Sequence, residues 1–213
     1  MRTPNPDNPT QREHISAEHL AEFVKGLEPR GDKPAFVAIS GFGGSGKSTL
    51  ATRIGEMIGE EATVVPIDNF IIGARDERSE DWHTFDRERL DHDVIQPARI
   101  GEILRYQRYN SGDWVNNRGG DWVETTVGRI IIIEGCGILH PALMPAYDLS
   151  AWIDLPQYRA LESAKYRDAS EVELFGDDDT VVLWDEVWGP NDKDFLDNFR
   201  PDLHATVLIE PQF

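Results

Sequence analysis

Phe36-Val37-Ala38-Ile39-Ser40-Gly41-Phe42-Gly43-Gly44-Ser45-Gly46-Lys47-Ser48-Thr49 carries an apolar run into a glycine-rich turn. Beyond it, from Thr49 to Ile58, apolar residues recur at helical spacing. Gly41 to Ser48 fits the pattern G-x-x-x-x-G-K-[ST]. Its setting between a strand and a helix gives the pattern physical content, because successive backbone N–H groups and a helix N-terminus converge there on a bound anion. Gly41, Gly43, Gly44 and Gly46 let the backbone wrap phosphate oxygens with no side chain in the way. Lys47 is expected to reach the β- and γ-phosphates of a nucleoside triphosphate, and the Ser48 hydroxyl to ligate Mg²⁺. The expected nucleotide-binding set is Gly41, Gly43, Gly44, Ser45, Gly46, Lys47, Ser48 and Thr49.

Working outward, the runs Ala62 to Ile67, Ile130 to Ile133, Ala151 to Leu155 and Ala205 to Ile209 resemble the first apolar run and bring the count of buried strands to five. Helical spacing over Leu139 to Ala146 and Gln157 to Arg167 alternates with them. Strands alternating with helices predict an α/β three-layer fold with a mainly parallel five-stranded sheet covered on both faces. Ser16 can cap a further helix with Leu20, Phe23, Val24 and Leu27 on one face, ended by Glu28-Pro29-Arg30-Gly31. Residues 1–15, with Pro4, Pro6 and Pro9, read as a flexible lead-in to a single domain over 16–213. Two insertions interrupt the alternation, at about 73–93 and 103–127. The second reads as a hairpin standing off the sheet, Leu104 to Tyr109 against Trp122 to Val127.

The chain has 213 residues, and 21 Lys plus Arg against 39 Asp plus Glu give a formal charge of -18. Such a surface repels phosphate backbones and anionic lipid, which argues against nucleic-acid and membrane partners. No apolar run approaches the roughly 20 residues that cross a bilayer, and the N-terminus lacks the apolar core of a signal peptide. The one cysteine, Cys136, excludes an internal disulfide and suits a reducing cytoplasm. A homo-oligomer stays open. No His/Cys group has zinc-like spacing, so His14, His19, His83 and His92 read as surface residues.

Two acids sit where the chemistry of a bound triphosphate needs them. Val64-Val65-Pro66-Ile67-Asp68 places Asp68 after a strand expected beside the glycine-loop strand, where it can take a proton from an acceptor hydroxyl. Ile130-Ile131-Ile132-Ile133-Glu134-Gly135 ends a second strand in Glu134, the place of a Mg²⁺-water ligand. A GTPase would need an N-K-x-D string after a strand, and Asn191-Asp192-Lys193-Asp194 has the wrong order.

Ile39 to Thr49, Asp68-Asn69-Phe70 and Ile133-Glu134-Gly135, in this order, resemble the P-loop kinase family of uridine kinase, phosphoribulokinase and bacterial pantothenate kinase. The likeness extends to Tyr147-Asp148, Asp154 and Arg167-Asp168, and spans about Phe36 to Ile209. It implies ATP-dependent phosphorylation of a hydroxyl on a nucleoside such as uridine, a sugar or a pantothenate-like acceptor, with Mg²⁺ as cofactor. Asp68 would be the base, Lys47 and Arg167 the cations on the transferred group, and Ser48 and Glu134 the metal shell. Phe70, His83, Arg108 and Tyr109 are the acceptor-side candidates, in a region where Trp82, Phe85, Asp86, Arg105, Tyr106 and Trp114 mix basic, acidic and aromatic groups. The chain departs from the family between Arg159 and Asp168, where paired arginines expected near Ser163 and Ala164 are absent and the sequence continues acidic through Asp179. Arg167, with Lys165 or Arg159 as alternates, must then carry the role alone. That departure keeps open a nucleotide-binding regulatory protein with reduced or lost transfer, and a partner-stimulated NTPase.

Overall fold

The structure is a computed structural model that describes residues 14–28, 31, 33–109, 119–175 and 179–211, with backbone alone for 170–175 and 179. In chain order its strands and helices are β1 (His14–Ile15), α1 (Ala17–Lys25), β2 (Ala35–Ser40), α2 (Lys47–Ile58), β3 (Ala62–Pro66), α3 (Arg87–Leu90), α4 (Gln96–Arg99), β4 (Leu104–Gln107) and β5 (Trp122–Thr125). Then follow β6 (Ile130–Glu134), β7 (Leu149–Ile153), α5 (Gln157–Phe175), α6 (Asp179–Leu183), α7 (Gly189–Phe199), α8 (Pro201–His204) and β8 (Val207–Ile209).

Six strands form one sheet in the order β1-β8-β7-β2-β6-β3, every pair parallel. The residues of β2 and β6 are buried along their whole length, as strands with helices on both faces must be. The sheet has one strand more than the five expected, because His14–Ile15, assigned to the lead-in, pairs with Leu208 and Ile209 at the edge. Two residues are too few to show a period. Residues 1–13 lie outside the described residues.

The order also moves Asp68. β6, not β3, lies beside β2, with Glu134 opposite both Ile39 and Pro66. Asp68 therefore stands one strand further out than expected, in a short 3-10 turn, Ile67–Phe70, that follows β3. Chain order cannot reveal this crossover, since β6 arrives some sixty residues after β3 and inserts between its predecessors.

Ser16 caps α1 by accepting the His19 N–H, and Leu20 and Val24 bury the face expected of them. The expected helix over Leu139 to Ala146 is instead a series of turns with a 3-10 turn at Met144–Ala146. Pro141 and Pro145 remove N–H donors and bias the residues before them away from helix. The antiparallel pair β4–β5 is a separate two-stranded sheet, yet it does not stand off the core: Leu104 and Tyr106 are buried, and the Tyr106 ring lies 5.5 Å from that of Phe70. The hairpin tip, with Trp114, falls outside the described residues. Trp82, Phe85 and Leu90 are buried, so the latter part of the first insertion belongs to the core, as do the fully buried Val94, Ile95 and Ala98 just beyond it. Among the described residues no helix is long and apolar enough to cross a membrane.

Ile132, at the centre of β6, is fully buried and pairs with Val37 and Val64 on either side. Ile132→Ala should cost about 2–5 kcal/mol of stability by removing buried methyls and leaving a cavity, read from the shift of a urea unfolding midpoint at unchanged slope.

Candidate active site

The carboxyl ends of β2, β6 and β3 open on one cavity of about 330 Å³, lined by Gly43, Gly44, Lys47, Ser48, Asp68 and Glu134 among others. The glycine-rich turn is fixed from three sides. Ser40 Oγ donates to the Gly135 carbonyl at 2.9 Å, which ties the end of β2 to the loop after β6. Gly44 has φ +81, and a Cβ there would overlap the Ala160 carbonyl of α5, so only glycine permits this approach. Lys47 donates from Nζ to the Phe42 carbonyl at 2.8 Å and is 7% exposed. Ser48 Oγ donates to Glu134 Oε2 at 3.1 Å.

The cavity gathers much of what the sequence singled out. Asp68, Glu134 and Arg167 line it beside Lys47 and Ser48, and Tyr109 of the acceptor-side group lines it too. Phe70 does not: it is fully buried beneath the wall, between the Tyr106 ring and the Arg89 guanidinium. His83 stands outside the lining, held by Ser79, Glu77 and Asp81. Arg108 is exposed and off the lining, and Arg105 pairs with Glu124 across the hairpin. Arg167 Nε donates to Asp168 Oδ1 at 2.6 Å, and Asp168 Oδ2 accepts from Trp184 Nε1, also at 2.6 Å. Lys165 pairs with Asp185 away from the cavity, and Arg159 is exposed. Tyr147, Asp148 and Asp154 serve the scaffold: Tyr147 donates to the Ile138 carbonyl, Asp148 accepts the Phe36 N–H, and Asp154 meets His14.

Sequence reading missed two residues. Asp192, near the start of α7, accepts the Gly43 N–H at Oδ2 over 2.6 Å, and the Trp184 ring covers Gly43 so closely that a Cβ there would overlap it. Asp192 appeared only in a string rejected as a base-reading motif. Trp184 begins a π-helical turn, Trp184–Trp188, that no periodicity announces.

No family model matches the chain. Solved structures do. A possible uridine kinase from Bacillus stearothermophilus superposes with a TM-score of 0.65 at 17% identity, covering 91% of this chain and 96% of that one. A candidate fructose transport system kinase from Silicibacter gives 0.72 at 23%, covering 91% and 98%. The D-glycerate 3-kinase of Cryptococcus neoformans gives 0.65 at 12%, covering 91% and 95%. The chain has the P-loop NTPase fold. In P-loop terms β2 and α2 flank the phosphate loop, and Glu134 ends the strand next to it.

Burial governs the electrostatics of this P-loop. Burial alone pulls the Lys47 ammonium toward neutrality; Cys136, Asp192, Glu134 and Asp68 push it back, and the net displacement is upward. Cys136 is itself pushed up by burial and stays a thiol near neutral pH, so the compensating charge comes from the carboxylates. Burial raises Asp68, opposed by Lys47 and Arg167. Burial and the neighbouring Asp68 raise Glu134 to about 7, opposed by Lys47 and the Ser48 hydroxyl. Tyr109 is pushed up to about 12 by burial, with Arg75 opposing. The Ser48 hydroxyl and Glu134 carboxylate are hard oxygen donors in contact, a set that suits Mg²⁺. Among the described residues no group of three His, Cys, Asp or Glu could hold a metal. A larger cavity of about 470 Å³ opens between Lys33 and Arg129, at the opposite end of β2 and β6, but it holds no comparable acid–base array.

A carboxyl raised on folding stabilises the fold fully below its unfolded value, and that contribution is lost as pH rises through the folded value. For Glu134 the window runs from about 4.5 to about 7. In metal-free buffer the melting temperature of the wild type minus that of Glu134→Gln should therefore fall as pH is raised across this window. A difference independent of pH would contradict it.

Proposed function

We propose that the protein is a kinase that transfers the γ-phosphoryl group of ATP to a hydroxyl of a small molecule. The observation that carries the reading is one cavity shared by the glycine-rich loop and a carboxyl, Asp68, that faces it and is displaced upward by desolvation. A P-loop needs only N–H groups and a cation to hold a nucleotide; a carboxyl facing the same space suits an incoming hydroxyl.

In this reading the nest and Lys47 hold the β- and γ-phosphates, and Asp68 orients the acceptor hydroxyl and accepts its proton. Arg167, steadied by Asp168, faces charge developing on the transferred group. Trp82, Phe85 and Trp188 line the remaining wall and keep water from competing with the acceptor. Ser48 and Glu134 would hold Mg²⁺, which neutralises charge on the phosphates. Uridine, fructose and D-glycerate, in the names of the structural neighbours, all carry hydroxyls and define a first acceptor set. Such an enzyme works where ATP is abundant, in the cytoplasm.

One observation favours a second reading, a nucleotide-binding regulator with little transfer: Arg167 is the sole arginine between Arg159 and Asp179. The test is an ATP-consumption screen over nucleosides, sugars, polyols, hydroxy acids and pantothenate, with product masses determined. A product heavier by one phosphoryl group supports the kinase. Tight ATP binding with no product supports the regulator, and hydrolysis without acceptor that a partner stimulates supports an NTPase.

With the acceptor in hand, Asp68→Asn should lower kcat by about 10²-fold or more and leave ATP affinity nearly unchanged, as calorimetry would show. Lys47→Ala should weaken ATP binding and lower kcat by orders of magnitude. Arg167→Ala should lower kcat strongly at unchanged ATP affinity; wild-type turnover in that variant would assign the charge to Arg75, which also lines the cavity, or to a partner.

A further inference from the structure

The N–H of Gly43 belongs to the phosphate nest, yet here its acceptor is a protein carboxylate. Asp192 Oδ2 lies 2.6 Å from Gly43 N, the side chain is 5% exposed, and Lys47 is a principal cation acting on it. The Trp184 ring lies over the same glycine, anchored through Nε1 on Asp168. The next residue of α7 toward the N-terminus holds the acceptor-side segment: Asn191 Oδ1 accepts the Ser79 N–H at 2.9 Å, and its Nδ2 donates to the Glu77 carbonyl at 3.3 Å.

We propose that Asp192 is a stand-in for phosphate, a carboxylate that occupies the Gly43 N–H and that a triphosphate must displace, with α7 and Trp184 moving as it does so. The inference rests on the reading of the loop as a nucleotide site. Three physical facts carry it. A carboxylate and a phosphate oxygen compete for one N–H, and both are anionic, so they cannot share the nest without repulsion. The carboxylate is buried with partial compensation from Lys47, so its place can be taken by a more highly charged anion. The indole packs against the bare Cα of Gly43, so the ring and the Asp192 carboxylate crowd the same residue from two directions. Burial raises Asp192 to about 6, opposed by Lys47, the Gly43 N–H, Cys136 and Trp82, so it is mainly charged at neutral pH and opposes a polyanion there. Asn191 also gives the displacement a consequence: movement of α7 on triphosphate binding is transmitted to residues 77–79 beside the acceptor cavity.

Asp192→Asn keeps an oxygen that can accept from Gly43 and removes the charge. In calorimetric titrations at neutral pH it should bind ATP about tenfold tighter or better, because the competing closed form is weakened, and should bind adenosine as the wild type does. Equal or weaker ATP binding in a folded Asp192→Asn protein would overturn the proposal. Lys47→Ala, run alongside, separates the failures: ATP binding lost there but unchanged in Asp192→Asn removes only the stand-in. No ATP binding by wild type or Asp192→Asn, both folded, removes the nucleotide site and the stand-in with it. The wild type gives a second measurement that needs no Asp192 variant. ATP should change tryptophan fluorescence, and Trp184→Phe should abolish most of that change; an ATP-binding protein whose signal is the same with and without Trp184 would contradict the displacement.

Discussion

Burying an ammonium ion is the constraint around which this end of the molecule is arranged. Lys47 is nearly inaccessible and bonds to its own loop through the Phe42 carbonyl. A lone buried charge would lose its proton or unfold its surroundings. Asp68, Glu134 and Asp192 supply the opposing charge from three separate parts of the chain. The cost is desolvation of the acids, which displaces all three upward, and Asp68 adds its repulsion to Glu134 alone. Three raised carboxyls set against Lys47 and Arg167 are the kind of perturbed cluster that marks a functional site.

The sheet order divides labour among these acids. β6 between β2 and β3 puts Glu134 against Ser48, where the proposed reading needs its metal ligands. It also holds Asp68 one strand farther from the loop, across the space where an acceptor would lie. Asp192 comes from the other direction, on a helix that also clamps the acceptor-side segment through Asn191. α7 thus touches both the glycine-rich loop, through Asp192, and residue 79 beside the cavity, through Asn191.

What could be read from the sequence was what local chemistry encodes. The loop from Gly41 to Ser48 announced itself because four glycines, a lysine and a serine at fixed offsets have few other uses. The isoleucine run before Glu134 announced a buried parallel strand for the same kind of reason. Contacts created by long-range packing left no such trace. Gly43 and Asp192 are far apart in the chain, and nothing near Asp192 marks it as a partner of the loop. Phe70 has the composition of a ligand contact but fills the core under Tyr106. The two-residue edge strand and the prolines at 141 and 145 show the limits of periodicity at short length.

The central claim is that the β2–α2 loop is where a triphosphate binds, against the carboxyls of β6 and the turn after β3. The most direct measurement follows backbone amide resonances of the ¹⁵N-labelled protein as MgATP is added. The account predicts the largest shifts at Gly43, Gly44, Gly46 and Lys47, with further shifts at Asp68, Glu134 and Asp192. An unperturbed loop, or shifts confined to the cavity near Lys33 and Arg129, would contradict it.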